Sequence, residues 1–355
     1  MNMSDAANIK RIGIAGSGRM GTDIFLFLDG HGFELRWLCK GETEQTAAEA
    51  CFLKRIARQK KTGMLSDAAY ELKLKSTLIS CDAAIFSDCD LIIESIPEHR
   101  DEKKNLLAQI DKIVSAGCII TSNSSSIRPS ILVPSANRKT TFAGMHFFYP
   151  LAFKTAAELI VTEHTSENTK IILRNFLTRI GRNIFELDEE HAFMLNRIFL
   201  PVQAEACRLV EEAIMEFREV DAIVKKFVFP CGIFSFFDQV GNDVMLSSVN
   251  NYAEFEAEPG FLIPMQNLLQ RMVSDHLLGI KTGIGFYNYQ NPDNTEVEIN
   301  PADENVQICI GLLEASYKNA AMAMAQKTGT ELLKLNEALM EYTGADKGPF
   351  SGNSE

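Results

Sequence analysis

Two kinds of hydrophobic pattern divide the chain near residue 188. Before it, short apolar runs typical of buried strands alternate with segments of helical periodicity. The strands are predicted at Lys10–Ala15, Phe33–Cys39, within Asp90–Glu98, at Cys118–Ser122 and at Thr140–Met145. Beyond it, longer helical segments follow, among them Met194–Phe217 and Glu219–Val228. The pattern predicts an α/β N-terminal domain with a parallel sheet, followed by an all-α C-terminal domain.

The first predicted strand runs directly into a glycine-rich loop and then into an apolar helical stretch. The loop contains Gly16, Gly18, Arg19, Met20 and Gly21 in the order GxGxxG. Between a strand and a helix, such glycines allow a tight turn and a close approach of the backbone to a pyrophosphate. The positive end of the helix dipole then faces the phosphates. We therefore predict a Rossmann-type dinucleotide-binding domain, the alternative being an ordinary glycine-rich turn.

The end of the second predicted strand leaves the choice of dinucleotide open. NAD-binding domains commonly have an acid at this position, which binds the ribose hydroxyls. Here the strand ends at Cys39, followed by Lys40. Lys40, together with Arg19, could bind a 2'-phosphate, whereas Glu42 or Glu44 could replace the missing acid. The cofactor is accordingly predicted to be NAD or NADP.

A helical hairpin is predicted from Glu44 to Leu74, with a break near Thr62-Gly63. Its first arm carries a run of basic side chains at positions 54, 55, 58, 60 and 61. Such a run is either a solvated helix face or a binding surface for the phosphates of a large anionic substrate. On the second interpretation, Arg55 and Lys61 are candidate substrate-binding residues.

Three polar side chains follow predicted strands of the sheet, namely Glu98, Ser125 and His146. Ligands of open parallel sheets bind outside the carboxyl ends of the strands, so we expect these residues near the ligand. His146 lies in an apolar run, and Glu158 follows it by twelve residues. An imidazole paired with a carboxylate is a proton acceptor near neutral pH. The alternative is that His146 is a core residue with satisfied hydrogen bonds.

Composition narrows the classes of function and partner. The net charge of −12 argues against a general nucleic-acid binder and against a protein of anionic membrane surfaces. Eight scattered cysteines without a CxxC pair predict free thiols in a reducing compartment, with neither a disulfide framework nor a metal site. We find no apolar signal core at the N-terminus and no transmembrane stretch, so a cytoplasmic protein is expected.

Seven motifs resemble those of the L-3-hydroxyacyl-CoA dehydrogenase family, and their order and spacing together are specific. The resemblance runs from about Lys10 to Tyr289. The motifs are GSGRMG from Gly16, DLIIESIPE from Asp90, SNSSSI from Ser122, FAGMHFFYP from Phe142, LNR from Leu195, FSFFDQVG from Phe234 and KTGIGFY from Lys281. The sequence differs from the family pattern at several positions, including Cys39 and Tyr149, which replaces the usual Asn.

The resemblance implies an oxidoreductase that interconverts a 3-hydroxyacyl-CoA and its 3-oxo form. His146 would be the catalytic base and Glu158 would orient it, while Ser125 and Asn196 would hydrogen-bond the reacting oxygen. Glu98, Lys103 and Asn123 would lie at the cofactor. A thioester of acyl-carrier protein or a free hydroxy acid is an alternative substrate. A cofactor-binding protein that has lost turnover is the alternative from another class.

Three segments follow from the pattern and the resemblance. We expect residues 1–188 to form the nucleotide-binding domain with its hairpin, residues 189–300 to form the helical domain, and residues 301–355 to form a helical extension. The extension is either a partial repeat of the helical domain or an additional helix pair. A homodimer through the helical domain is expected, although the extension could cover the pairing surface.

Overall fold

The computed structural model describes residues 9–293, 295 and 297–351. It separates into two compact units, Met1–Ala192 and Phe193–Glu355. None of the helices within these described residues has both the length and the apolar character that crossing a membrane requires. The predicted fold class is confirmed, since the first unit is α/β and the second is helical.

The described residues of the first unit form eight strands in one sheet. They are β1 (Arg11–Ala15), β2 (Glu34–Leu38), β3 (Thr77–Ser80), β4 (Leu91–Glu94), β5 (Ile119–Ser122), β6 (Phe142–Phe147), β7 (Ala156–Val161) and β8 (Asn183–Asp188). The helices are α1 (Arg19–Leu28), α2 (Glu42–Lys61), α3 (Asp67–Ser76), α4 (Arg100–Asp111), α5 (Pro129–Leu132) and α6 (Glu167–Arg179). Helices α2 and α3 form the predicted hairpin.

The strand order is β3-β2-β1-β4-β5-β6-β7-β8, and every neighbouring pair is parallel except β6 and β7. The first six positions reproduce the order of a doubly wound dinucleotide-binding sheet. The order reverses between β1 and β4, and ligands of such sheets bind in the crevice outside that point. Apolar side chains cover both faces, with Phe25 and Trp37 in one cluster and Phe86 and Phe142 in the other.

The second unit is built on α7 (Met194–Glu211), which packs against α11 (Ile263–Ser274) and α12 (Glu304–Thr328). The remaining helices are α8 (Phe217–Ile223), α9 (Ile233–Val240), α10 (Asn242–Ala253) and α13 (Leu332–Thr343). A π-helical turn, Val224–Val228, continues α8. The buried carboxylate of Asp238 accepts the backbone N–H groups of Phe286 and Tyr287, so the KTGIGFY motif has a structural role here.

The predicted helix Met194–Phe217 is wrong at its C-terminal end. The helix ends at Glu211, and Ala213 adopts a left-handed conformation with φ of 54°, which interrupts the helical hydrogen-bond ladder. A new helix then begins with a reciprocal capping box between Glu216 and Glu219. The apolar periodicity passes through this break unchanged, so the pattern alone does not reveal it.

Candidate active site

The glycine loop after β1 is shaped by close backbone contacts. Gly16 has φ of 122°, and a Cβ there would lie 2.5 Å from the carbonyl oxygen of Ser95, beyond β4. A Cβ on Gly21 would collide with the carbonyl oxygen of Gly16, whereas a Cβ on Gly18 would meet no atom within 4 Å. The indole N–H of Trp37, on β2, donates a hydrogen bond of 2.9 Å to the Gly16 carbonyl and so fixes the start of the loop. Two glycines are thus required by the fold itself, and the third faces open space.

This open space fits the pyrophosphate of a dinucleotide. Helix α1 begins at Arg19, and no side chain of the described residues caps the helix at Gly18. The first N–H groups of the helix are therefore available to bind an anion. The residues present fit a nicotinamide dinucleotide at the point where the strand order reverses, with Met20 in the first turn of α1.

The end of β2 carries a thiol where an acid is common. Cys39 is buried, and burial raises the pKa of its thiol. Lys40 is exposed. The Arg19 guanidinium lies 4.1 Å from the centre of the Tyr149 ring, a cation–π contact. The roles of Arg19 and Lys40 at a 2'-phosphate remain predictions.

His146 and Glu158 face each other directly across the antiparallel pair of β6 and β7. The imidazole Nδ1 lies 2.8 Å from Glu158 Oε2, and the two residues are 5% and 0% exposed. An ionised carboxylate only accepts hydrogen bonds, so this bond assigns the imidazole proton to Nδ1 and makes Nε2 the accepting nitrogen of the neutral ring. His146 is the second-to-last residue of β6, which ends at Phe147. The structure therefore forms the predicted pair.

Asn123 connects the loop after β5 to the strand that carries His146. Its Oδ1 accepts a hydrogen bond of 2.8 Å from the backbone N–H of Phe147. Since β5 and β6 are parallel, the carboxyl ends of both strands lie at one edge of the sheet. This bond fixes the serine-rich loop beside His146, and the predicted position of Asn123 at the nicotinamide remains a prediction.

Glu98 organises that serine-rich loop. Its Oε1 accepts hydrogen bonds from the Ser124 hydroxyl at 2.5 Å and from the backbone N–H groups of Ser125 and Ser126 at 3.0 and 2.9 Å. Burial by itself would raise the pKa of Glu98, but the Lys103 ammonium and the serine donors outweigh it and hold the pKa below its usual range. The ionised carboxylate thus shapes the loop that carries Ser125.

Lys103 lies between two acids in the interior of the first unit. Its ammonium donates to Glu94 Oε1 at 2.7 Å and pairs with Glu98 Oε2 at 3.4 Å. Burial alone would lower the pKa of Lys103, but the two carboxylates raise it overall. Glu94 also accepts the Ser122 hydroxyl at 2.6 Å. Glu94 is absent from the predicted site residues, although an acid inside the buried strand LIIE was a signal for it.

Some basic side chains of α2 contact the rest of the first unit, and others are exposed to solvent. Arg55 donates a hydrogen bond of 2.9 Å to the Leu26 carbonyl and pairs with Asp29, which attaches α2 to α1. Lys61 lies at the exposed end of α2 and makes no ion pair with any residue that the structure describes. Substrate binding by Arg55 and Lys61 remains a prediction.

Asn196 belongs to the second unit and lies in the first turn of α7. Its Nδ2 donates a hydrogen bond of 3.3 Å to the hydroxyl of Tyr252 on α10. Each unit thus holds part of the predicted set of catalytic residues, with Ser125, His146 and Glu158 in the first and Asn196 in the second.

A dinucleotide-binding sheet with a buried histidine–carboxylate pair at its ligand edge defines a nicotinamide-dependent dehydrogenase. The model of the NAD-binding domain of 3-hydroxyacyl-CoA dehydrogenase matches residues 11–190, and that of the C-terminal domain matches residues 193–289. The chain belongs to the 3-hydroxyacyl-CoA dehydrogenase family. It is an oxidoreductase that uses NAD and interconverts 3-hydroxyacyl-CoA and 3-oxoacyl-CoA.

Individual relatives agree with this membership. The chain is 30% identical to the mitochondrial hydroxyacyl-coenzyme A dehydrogenase of Rattus norvegicus, over 79% of this chain and 92% of the relative. The solved structure of (S)-3-hydroxybutyryl-CoA dehydrogenase from Ralstonia eutropha has a TM-score of 0.70 at 29% identity and covers 80% of this chain and 100% of that one. A 3-hydroxybutyryl-CoA dehydrogenase structure from Escherichia coli K12 shares the fold, with a TM-score of 0.78, 20% identity and coverage of 97% and 91%.

Proposed function

We propose that the protein interconverts a short-chain L-3-hydroxyacyl-CoA and the corresponding 3-oxoacyl-CoA, with His146 as the proton acceptor. The observation that carries this proposal is the buried 2.8 Å bond between His146 Nδ1 and Glu158. It lies at the same sheet edge as the serine loop and the glycine loop, because β1, β4, β5 and β6 are parallel.

NAD, when bound, supplies the acceptor for the hydride that leaves C3 of the substrate. His146 takes the proton of the C3 hydroxyl at Nε2, since Nδ1 is held by Glu158. The Glu158 carboxylate keeps the ring in this tautomer and stabilises the imidazolium that forms. Ser125 and Asn196 donate hydrogen bonds to the reacting oxygen, which develops carbonyl character as the hydride departs.

A CoA thioester is supported by the charge of the α2 surface. Lys54, Arg58 and Lys61 are exposed and make no ion pairs within the described part of the chain. CoA carries several phosphate groups, and unpaired cations on an otherwise acidic protein suit them. A four-carbon acyl chain is supported by relatives named 3-hydroxybutyryl-CoA dehydrogenase, among them one from Deinococcus radiodurans at 29% identity.

The direct test is reduction of acetoacetyl-CoA by NADH, followed by the loss of nicotinamide absorbance. We expect turnover with a kcat in the range of about 1–10³ s⁻¹ that is typical of enzymes. Acetoacetyl-pantetheine, which lacks the nucleotide, is the control for CoA recognition and should give a higher KM. Tight binding of NADH without turnover of either thioester would contradict the proposal and favour a catalytically silent cofactor-binding protein.

The use of NADP in addition to NAD is a separate proposal, and it depends on Lys40. If this exposed ammonium meets a 2'-phosphate, Lys40→Gln should lower kcat/KM for NADPH about tenfold and leave that for NADH within about twofold. The matched control is Lys75→Gln, another exposed lysine of the first unit. A wild-type protein that rejects NADPH, or a variant equally impaired with both reductants, would contradict the proposal.

We also propose a homodimer through the helical unit and a location in the cytoplasm. Exposed apolar side chains on α12 and α13, including Ile308 and Leu333, support the first proposal, which sedimentation equilibrium tests. All eight cysteines are free thiols, which suits a reducing compartment. Cell fractionation tests the second proposal.

A further inference from the structure

The Asn196 side chain is held at both ends by tyrosine hydroxyls. Its nitrogen donates to Tyr252 at 3.3 Å, and its oxygen accepts a hydrogen bond of 3.1 Å from Tyr342. The torsion that orients an asparagine amide is soft and nearly two-fold, so the side chain alone does not fix which atom faces a ligand. Two hydroxyl contacts, one to each amide atom, restrict this rotation.

Tyr342 lies outside the family's C-terminal domain as it matches this chain, which ends at residue 289. It belongs to α13, in the extension, and its ring stacks on Phe199 with the centroids 4.8 Å apart. Phe199 lies one turn after Asn196 on α7. The hydroxyls of Thr328 and Thr330 contact the sulfur of Met194, also in the first turn of α7. The extension therefore folds directly onto the turn that carries Asn196.

We propose that Tyr342 is a positioning residue for the reaction and acts through Asn196. The Tyr342 hydroxyl donates a hydrogen bond to Oδ1, and the Tyr252 hydroxyl accepts a hydrogen bond from one N–H of Nδ2. The second N–H of Nδ2 is then the donor for the reacting oxygen of the substrate. A released amide could instead turn Oδ1 toward that oxygen, and two acceptors would then face each other. This inference rests on the proposed role of Asn196 in binding the substrate.

Tyr342→Phe is the test, because it removes the hydroxyl and keeps the ring stacked on Phe199. We expect kcat for acetoacetyl-CoA reduction to fall about five- to tenfold, the size expected for one lost neutral hydrogen bond, with unchanged affinity for NADH. Tyr317→Phe is the matched control. Tyr317 also lies in the extension and stacks on Phe199, at 5.2 Å, but its hydroxyl forms no hydrogen bond with the residues described. The control should keep wild-type kcat.

A second substitution separates positioning from general stability. In an Asn196→Ala background the amide is gone, so Tyr342→Phe should have no further effect on kcat. An equal loss in both backgrounds would overturn the inference, as would a Tyr342→Phe variant with normal kcat beside an impaired Asn196→Ala variant. A wild-type protein without turnover, or an Asn196→Ala variant with normal turnover, would instead overturn the proposed function or the proposed role of Asn196, and the inference with it.

Discussion

His146→Gln is expected to lower kcat for acetoacetyl-CoA reduction by about 10²–10⁴-fold, the usual contribution of a general acid–base group. Glutamine can still donate to Glu158, so the buried carboxylate keeps a partner and the fold is retained. It has no nitrogen that accepts a proton near neutral pH. Steady-state kinetics measure the loss, and titration of NADH fluorescence should show unchanged affinity for the cofactor.

His164→Gln is the matched control, because His164 also lies beside a glutamate in the first unit but is exposed. It should retain wild-type kcat. Glu158→Gln should lower kcat nearly as far as His146→Gln. The amide can donate to Nδ1 as well as accept from it, so it no longer fixes the tautomer, and it carries no charge to stabilise the imidazolium. The double variant should be little worse than either single one, because the pair acts as a unit. A His146→Gln variant with near-normal kcat would remove His146 as the proton acceptor.

Lys103→Met is expected to lower the free energy of unfolding by about 3–5 kcal/mol, as when one partner of a buried ion pair is removed. Lys103 is 1% exposed and Glu94 is 0% exposed, so water cannot replace the lost ammonium. Two carboxylates would then remain close together without a cation. Urea unfolding at neutral pH measures the loss.

The neighbouring Lys104→Met is the control, because this side chain is exposed and its replacement should change the free energy of unfolding by no more than about 0.5 kcal/mol.

The pH dependence of the free energy of unfolding has a defined sign. The lowered pKa of Glu98 adds stability above the ordinary glutamate pKa, and this stability is lost as the pH falls through the lowered value. The deficit of Lys103→Met should therefore narrow in acid. A deficit that stays constant with pH would show that the charges are not its cause.

Local signals predicted the nucleotide half of the fold well. Strand β1 and the glycine loop could be predicted because the loop is continuous in sequence and because close backbone contacts require glycine at two of its positions. The sequence also predicted that Glu158 pairs with the imidazole of His146. Strand β7 runs antiparallel to β6 and so places the two residues directly opposite each other. This direction could not be predicted, because the sequence pattern led us to expect parallel strands.

The parts that the sequence did not reveal depend on long-range packing. Glu94 reads as one residue of a buried strand, and only the fold shows that it shares Lys103 with Glu98. Tyr342 lies 146 residues from Asn196, and no local periodicity connects them. Arg55 reads as part of a basic surface, whereas its guanidinium is hydrogen-bonded to a backbone carbonyl of α1.

The start of α1 and the loop after β6 are tied together although they are far apart in sequence. The Asp23 carboxylate accepts the backbone N–H of Leu151 at 2.7 Å, and Arg19 lies over Tyr149. Two segments joined in this way lose conformational entropy together. When a first ligand immobilises the glycine loop, the loop beside His146 also becomes less mobile. A second ligand that binds at this loop then pays a smaller cost in conformational entropy. We therefore expect positive cooperativity between cofactor and substrate without any rearrangement of the backbone.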